Sequence, residues 1–153
     1  MSEAPDVTHV VCFGNVWHGD DGFGLHVHRR LQEEALPPAT KIFDAGTAGL
    51  DALPYFEGCA RAVIVDAIRS GGRPGVVRRL AASDLERAGG ELSLHDFGIA
   101  SLLAALRAVS TTPPEIVVIG AEVGGITPFT DRLSPALEAA VPEAVRMILV
   151  ELR

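Results

Sequence analysis

The sequence predicts an α/β domain built on a largely parallel sheet. Short β-branched apolar runs alternate with stretches of helical period along the chain, and glycine or proline clusters mark the transitions. The apolar runs have the length of buried strands. Together these features predict five strands within one domain spanning residues 1–153.

Each element follows from its own residues. HVVCF (9–13) is the first strand. From 21 to 34 the period turns helical, with Phe23, Val27 and Leu31 on one face, and Pro37-Pro38 end the helix. KIFDAG (41–46) is a second strand running into the turn GTAG, followed by a short helix around 49–56. RAVIVDAI (61–68) is the third strand, its apolar run broken near its end by Asp66, and SGGRPG (70–75) is a loop. That loop is too short for a crossover helix, so VVRRL (76–80) is expected to run antiparallel to the strand before it. FGIASLLAALRAV (97–109) reads as an apolar helix, and EIVVIGAEV (115–123) as the fifth strand. The last helix occupies 134–153, with Ser134 as N-cap, Pro135 at its first position and Pro142 expected to kink or divide it.

Composition excludes several function classes. Apolar residues make up 48% of the chain and charged residues 22%, the balance of a globular domain. Net charge is −7 and the basic residues are scattered in short pairs, which argues against nucleic acid. No apolar stretch approaches the roughly 20 residues needed to span a bilayer. The opening MSEAPDVTH is acidic and lacks the apolar core of a secretory signal, so the expected location is the cytoplasm. Cys12 and Cys59 form neither a disulfide framework nor a CxxC metal site, and Cys12 reads as a small core residue.

The polar residues that interrupt the pattern point to one rim. In an open parallel sheet, sites form where loops leave the carboxyl ends of strands. Asp20 and Asp21 follow the first strand, Asp44 and Asp66 end the second and third, and Glu122 ends the fifth. His95 precedes the apolar helix that leads into the fifth strand, so it falls at the same edge. Burying carboxylates together demands a cation or protonation. Two carboxylates and a neutral imidazole suit a divalent transition metal, and a helix N-terminus favours that neutral form. Asp21, Asp66 and His95 are therefore the candidate ligands.

Competing roles exist for each residue. One of Asp20 and Asp21 is expected to cap the helix after the first strand, and Asp66 can accept from the SGG amides. His95, taken alone, reads better as a first-turn surface residue. Asp44 reads as the brace of its own glycine turn, and Glu122 as a solvated loop residue. His26 and His28 stand two apart on a helix and cannot share an ion. His18 reads as a surface-loop residue, and Trp17 as either a partner contact or a core anchor. The chain contains no GxGxxG, GK[ST], GxSxG or HExxH pattern.

GN(VWHG)DDGFG, DAGTAG, IVDAI and HDFG follow one another in this order across nearly the whole chain. In that series the sequence resembles the hydrogenase maturation proteases. The resemblance implies a three-layer α/β/α sandwich around a five-stranded, mostly parallel mixed sheet with the fourth strand antiparallel. It implies an endopeptidase, of aspartyl or metal-assisted type, that removes the C-terminal extension of a nickel–iron hydrogenase large-subunit precursor after nickel insertion. The metal-contacting positions of that family fall on Asp21, Asp66 and His95, with nickel carried by the precursor and other divalent metals able to substitute. Trp17, His18 and Ala45 differ from residues frequent in the family. A non-enzymatic, nickel-sensing or chaperone-like binder of the same precursor would use the same three residues. A phosphate-handling enzyme of similar architecture ranks below both, because the rim offers carboxylates and no lysine.

Overall fold

The computed structural model describes residues 6–88, 93–94 and 99–153. The chain runs β1 (Thr8–Phe13), α1 (Phe23–Leu31), β2 (Thr40–Gly46), β3 (Arg61–Arg69), β4 (Val77–Ala81), α2 (Ala82–Ala88), β5 (Ser93–Leu94), α3 (Ile99–Val109), β6 (Glu115–Glu122) and α4 (Pro135–Glu151). Two 3-10 helices, Gly19–Gly22 and Gly49–Phe56, follow β1 and β2.

The main sheet has the order β2-β1-β3-β6-β4. Its first four strands are parallel and β4 is antiparallel to β6, giving the expected five-stranded mixed sheet. The two-residue β5 adds a short antiparallel pairing at Ile68 and Arg69 of β3. β4 has the predicted direction, but its neighbour is β6 rather than β3. The loop after β3 carries the chain past the position of β6, where Gly75 N–H donates to the Glu122 carbonyl and Glu122 N–H to that of Val76. This places β4 on the sheet edge.

Alternation along the central strands sorts the core into two faces. Val10, Cys12, Val63, Val65, Val117 and Ile119 pack against Phe23, Val27 and Leu31 of α1 and Leu137 and Ile148 of α4. Val11, Ile64, Ile68, Ile116 and Val118 face Phe56 of the second 3-10 helix, Leu85 of α2 and Leu102, Leu103 and Leu106 of α3. Three layers result, each buried large side chain contributing about 1.5–3 kcal/mol.

Two helices depart from expectation. α1 is shorter than 21–34: its entry is the 3-10 turn, and Glu33 and Glu34 close its far end through i−3 bonds to Arg30 and Leu31 carbonyls. α4 runs unbroken through Pro142. An interior proline costs about 3 kcal/mol, but Leu137, Ala140, Ala144, Val145 and Ile148 are all buried from this helix. At about 1.5–3 kcal/mol for each large side chain, burial wins. No helix among the described residues is long and apolar enough to cross a membrane.

The topology creates a crevice. β1 leads through α1 to β2 on one side of it, whereas β6 and β4, which follow β3, lie on the other side. Because β1 and β3 are neighbours, their outgoing loops part in opposite directions at their carboxyl ends. Open α/β sheets bind ligands at such a switch point.

Candidate active site

The turn after β1 is built by close backbone approach. Gly14 N–H donates to the Gly46 carbonyl at 2.9 Å, tying the end of β1 to that of β2. A Cβ on Gly24 would lie 2.1 Å from the Phe13 carbonyl oxygen and 2.8 Å from that of Val65. Only glycine lets the start of α1 press against the ends of both β1 and β3. This contact seats the 3-10 turn that carries Asp20 and Asp21 over the crevice.

The two acids then diverge. In a 3-10 turn, successive side chains point about a third of a turn apart, so adjacent carboxylates need not meet. Asp21 is 8% exposed. Asp20 accepts the Ser134 N–H at 2.6 Å and the Ser134 hydroxyl at 2.8 Å. Neither acid is the N-cap of the helix after β1, contrary to expectation: His18 precedes the 3-10 turn and Gly22 precedes α1 as N-cap, both without a side-chain cap bond. Asp20 instead braces the residue that opens α4, far along the chain.

Asp66 is 3% exposed and accepts the Ala67 N–H at 2.8 Å through Oδ1. The ladder between β1 and β3 ends at Cys12 and Val65, so Asp66 is the first β3 residue beyond it. By alternation with Ile64 and Ile68 it belongs to the face covered by α3. The structure thus places Asp21 and Asp66 on adjoining segments at the switch point, both buried. His95, the third candidate, lies outside the described residues. Among the described residues no group of three His, Cys, Asp or Glu side chains could hold a metal ion.

The remaining polar residues have assignable roles. Asp44 is exposed and its Oδ1 accepts the Gly46 N–H at 3.0 Å, bracing its own turn as expected. Burial, followed by the charges of Asp44 and Asp66, pushes the Cys12 thiol far above its ordinary range, so this cysteine is an inert core residue. Glu122 is a correction, being a β6 residue only 1% exposed rather than a solvated loop residue. Its carboxylate accepts the Ser70 N–H at 3.2 Å, the Ser70 hydroxyl, and the Arg78 guanidinium at 3.2 Å. Burial alone would raise its pKa, but the Ser70 and Arg78 hydrogen bonds outweigh that and hold it below the usual value. Apolar neighbours on both sides of position 122 were the one signal of burial in the sequence.

Among the histidines, His26 pairs through Nε2 with the Asp131 carbonyl at 3.1 Å, and burial, then Arg29, lowers its pKa. His9 is buried, with Nδ1 on the Tyr55 carbonyl at 2.8 Å and its ring edge-on to Phe43. His18 forms a parallel bridge with Thr130. Trp17 is exposed rather than a core anchor.

Residues 25–151 match the family model described as hydrogenase maturation protease. The hydrogenase expression/formation protein HupD of Rhodobacter capsulatus is 29% identical over 152 residues, covering 97% of this chain and 72% of that protein. The hydrogenase 2 maturation protease of Escherichia coli is 29% identical over 147 residues, covering 94% and 89% respectively. The solved structure of the hydrogenase maturating endopeptidase HybD from E. coli superposes with a TM-score of 0.85 at 28% identity, covering 96% of this chain and 92% of that one. With a family model spanning most of the sequence, relatives aligned over nearly all of it and a solved member superposing over most of its length, the chain belongs to the hydrogenase maturation protease family.

Proposed function

We propose that the protein is the endopeptidase that removes the C-terminal extension of a nickel–iron hydrogenase large-subunit precursor after nickel has entered it. The observation that carries this reading is the pair of buried carboxylates, Asp21 and Asp66, at the switch point of a chain in this family. Carboxylates brought together at a strand-end rim favour a cation beside them. The precursor's nickel is such a cation, and it belongs to the substrate. Asp21 and Asp66 offer it oxygen ligands and His95 a neutral nitrogen, a donor set that suits a divalent transition metal. Engagement of the nickel fixes the scissile bond beside the crevice, converting an encounter into an oriented reaction. Hydrolysis then needs a water to attack the peptide carbonyl, a base to take its proton and an acid to protonate the departing amine. A rim carboxylate is suited to both proton transfers.

The test is incubation with purified precursor, with and without nickel, followed by mass measurement of the large subunit. The expected product is shortened at its C-terminus and forms only from nickel-loaded precursor. Asp66→Asn retains an oxygen for the Ala67 N–H, so it and His95→Ala are expected to keep the native circular dichroism and melting temperature while processing stops. Processing at the normal rate by both variants would overturn the assignment.

A further inference from the structure

Two segments meet at the carboxyl rim next to Asp21. Residues 15–19 leave β1, and residues 124–133 connect β6 to α4. Thr130 N–H donates to the Trp17 carbonyl at 3.0 Å and Gly19 N–H to the Thr130 carbonyl at 2.9 Å. Gly19, at φ 59°, lies so close that a Cβ would sit 3.2 Å from the Thr127 carbonyl oxygen. Asp20 closes the joint through Ser134. The backbone here is therefore held from both segments.

The side chains do the opposite. Phe129 is 92% exposed, Trp17 63% and Ile126 41%. Phe129 also has φ 61°, the one positive φ at a non-glycine among the described residues. That conformation is unfavourable for a bulky residue, and no buried surface in the chain compensates for it. Single exposed apolar residues are ordinary, and Val109 and Val150, at helix ends toward the opposite rim, are of that kind. Three on two bridged segments, one of them strained, with Trp17 four residues before Asp21 and Phe129 five before Ser134, form a different pattern.

We propose that Trp17 and Phe129 are the docking contact through which this rim receives the hydrogenase precursor, an inference that rests on the proposed function above. The occupant follows from continuity with the crevice. Any protein whose peptide bond reaches Asp21 and Asp66 must lie across the neighbouring segments, and a second copy seated there would close the crevice to substrate. Two aromatic rings on a tied backbone present large apolar area with little side-chain entropy to lose. The complementary surface on the precursor is an apolar depression adjoining its nickel-bearing end.

The test compares the wild-type chain with Trp17→Ala/Phe129→Gly, using nickel-loaded precursor. Glycine accepts φ 61°, and neither ring is buried, so the double variant is expected to keep its fold by circular dichroism and thermal melting. Its KM is expected to rise at least tenfold, with a smaller change in kcat. If the wild-type chain binds precursor without cutting it, the same loss is read in Kd, and the enzymatic reading falls while the docking surface stands. Equal KM or Kd in the two chains would overturn the docking surface and leave the protease reading intact. A wild-type dimer dispersed by the double substitution would assign the rings to a second copy and overturn it too. A wild-type chain that neither binds nor cuts the precursor removes both.

Discussion

Asp20 and Asp21 are identical in the sequence and divide their work in the fold. Asp20 accepts two hydrogen bonds from Ser134, while Asp21 is withdrawn into the crevice. Hydrogen bonds to a charged group are worth about 1.5–3 kcal/mol, and this pair joins segments 114 residues apart. Asp20→Ala is therefore expected to lower unfolding stability by about 1.5–3 kcal/mol in a denaturant titration. Serine at 134 keeps its place as N-cap, so Ser134→Ala, which removes only the hydroxyl bond, is expected to cost less. An Asp20→Ala chain as stable as wild type would show that the brace contributes nothing. Sequence reasoning brought both acids to the rim because strand ends are legible. It could not separate their roles, since the partner that distinguishes them is remote along the chain.

At the level of elements, α4 shows how burial overrides local preference. Pro142 lies in the interior of a seventeen-residue helix, on its exposed side, and the helix continues. Sequence rules expected a kink or a division because they weigh the missing N–H and the ring clash, both local terms. They do not weigh Leu137, Ala140, Ala144, Val145 and Ile148, which the sheet buries together. Pro142→Ala should restore a helical hydrogen bond and remove the clash. It also frees the unfolded chain, which takes back about 0.4–1 kcal/mol of the gain. The net expectation is a stabilisation of about 1–3 kcal/mol, read as a higher denaturation midpoint. A loss of stability would mean that the proline ring itself packs usefully. The opposite case is Gly24, where nothing local foretells that two carbonyl oxygens stand within 2.8 Å of an added Cβ.

For the whole molecule, β1, β3 and β6 were legible because each is a β-branched run buried along nearly its whole length, and the rim was legible because acids stand at or just beyond strand ends. The neighbour of β4 was not, because the place of β6 between β3 and β4 is decided by packing across the full chain. The same long-range order buries two carboxylates toward opposite edges of the sheet. Glu122 is held by Ser70 and Arg78 at the carboxyl end of β6, and Glu151, at the end of α4, by Arg79 and Arg61. In both, burial would raise the pKa, yet the hydrogen bonds and charges of these partners hold it below the ordinary 4.5. A depressed folded value means that the unfolded chain takes up protons first. The stabilisation is therefore complete above about pH 4.5 and is lost as pH falls through the lower folded values. Denaturant midpoints measured stepwise from pH 6 to pH 3 are expected to fall most steeply below pH 4.5. Glu122→Gln/Glu151→Gln is expected to start from a lower midpoint and to decline less over the same interval, because two of the groups that release protons on folding are gone. Parallel curves for the two chains would place the acid sensitivity in other carboxylates and show that Glu122 and Glu151 do not set it.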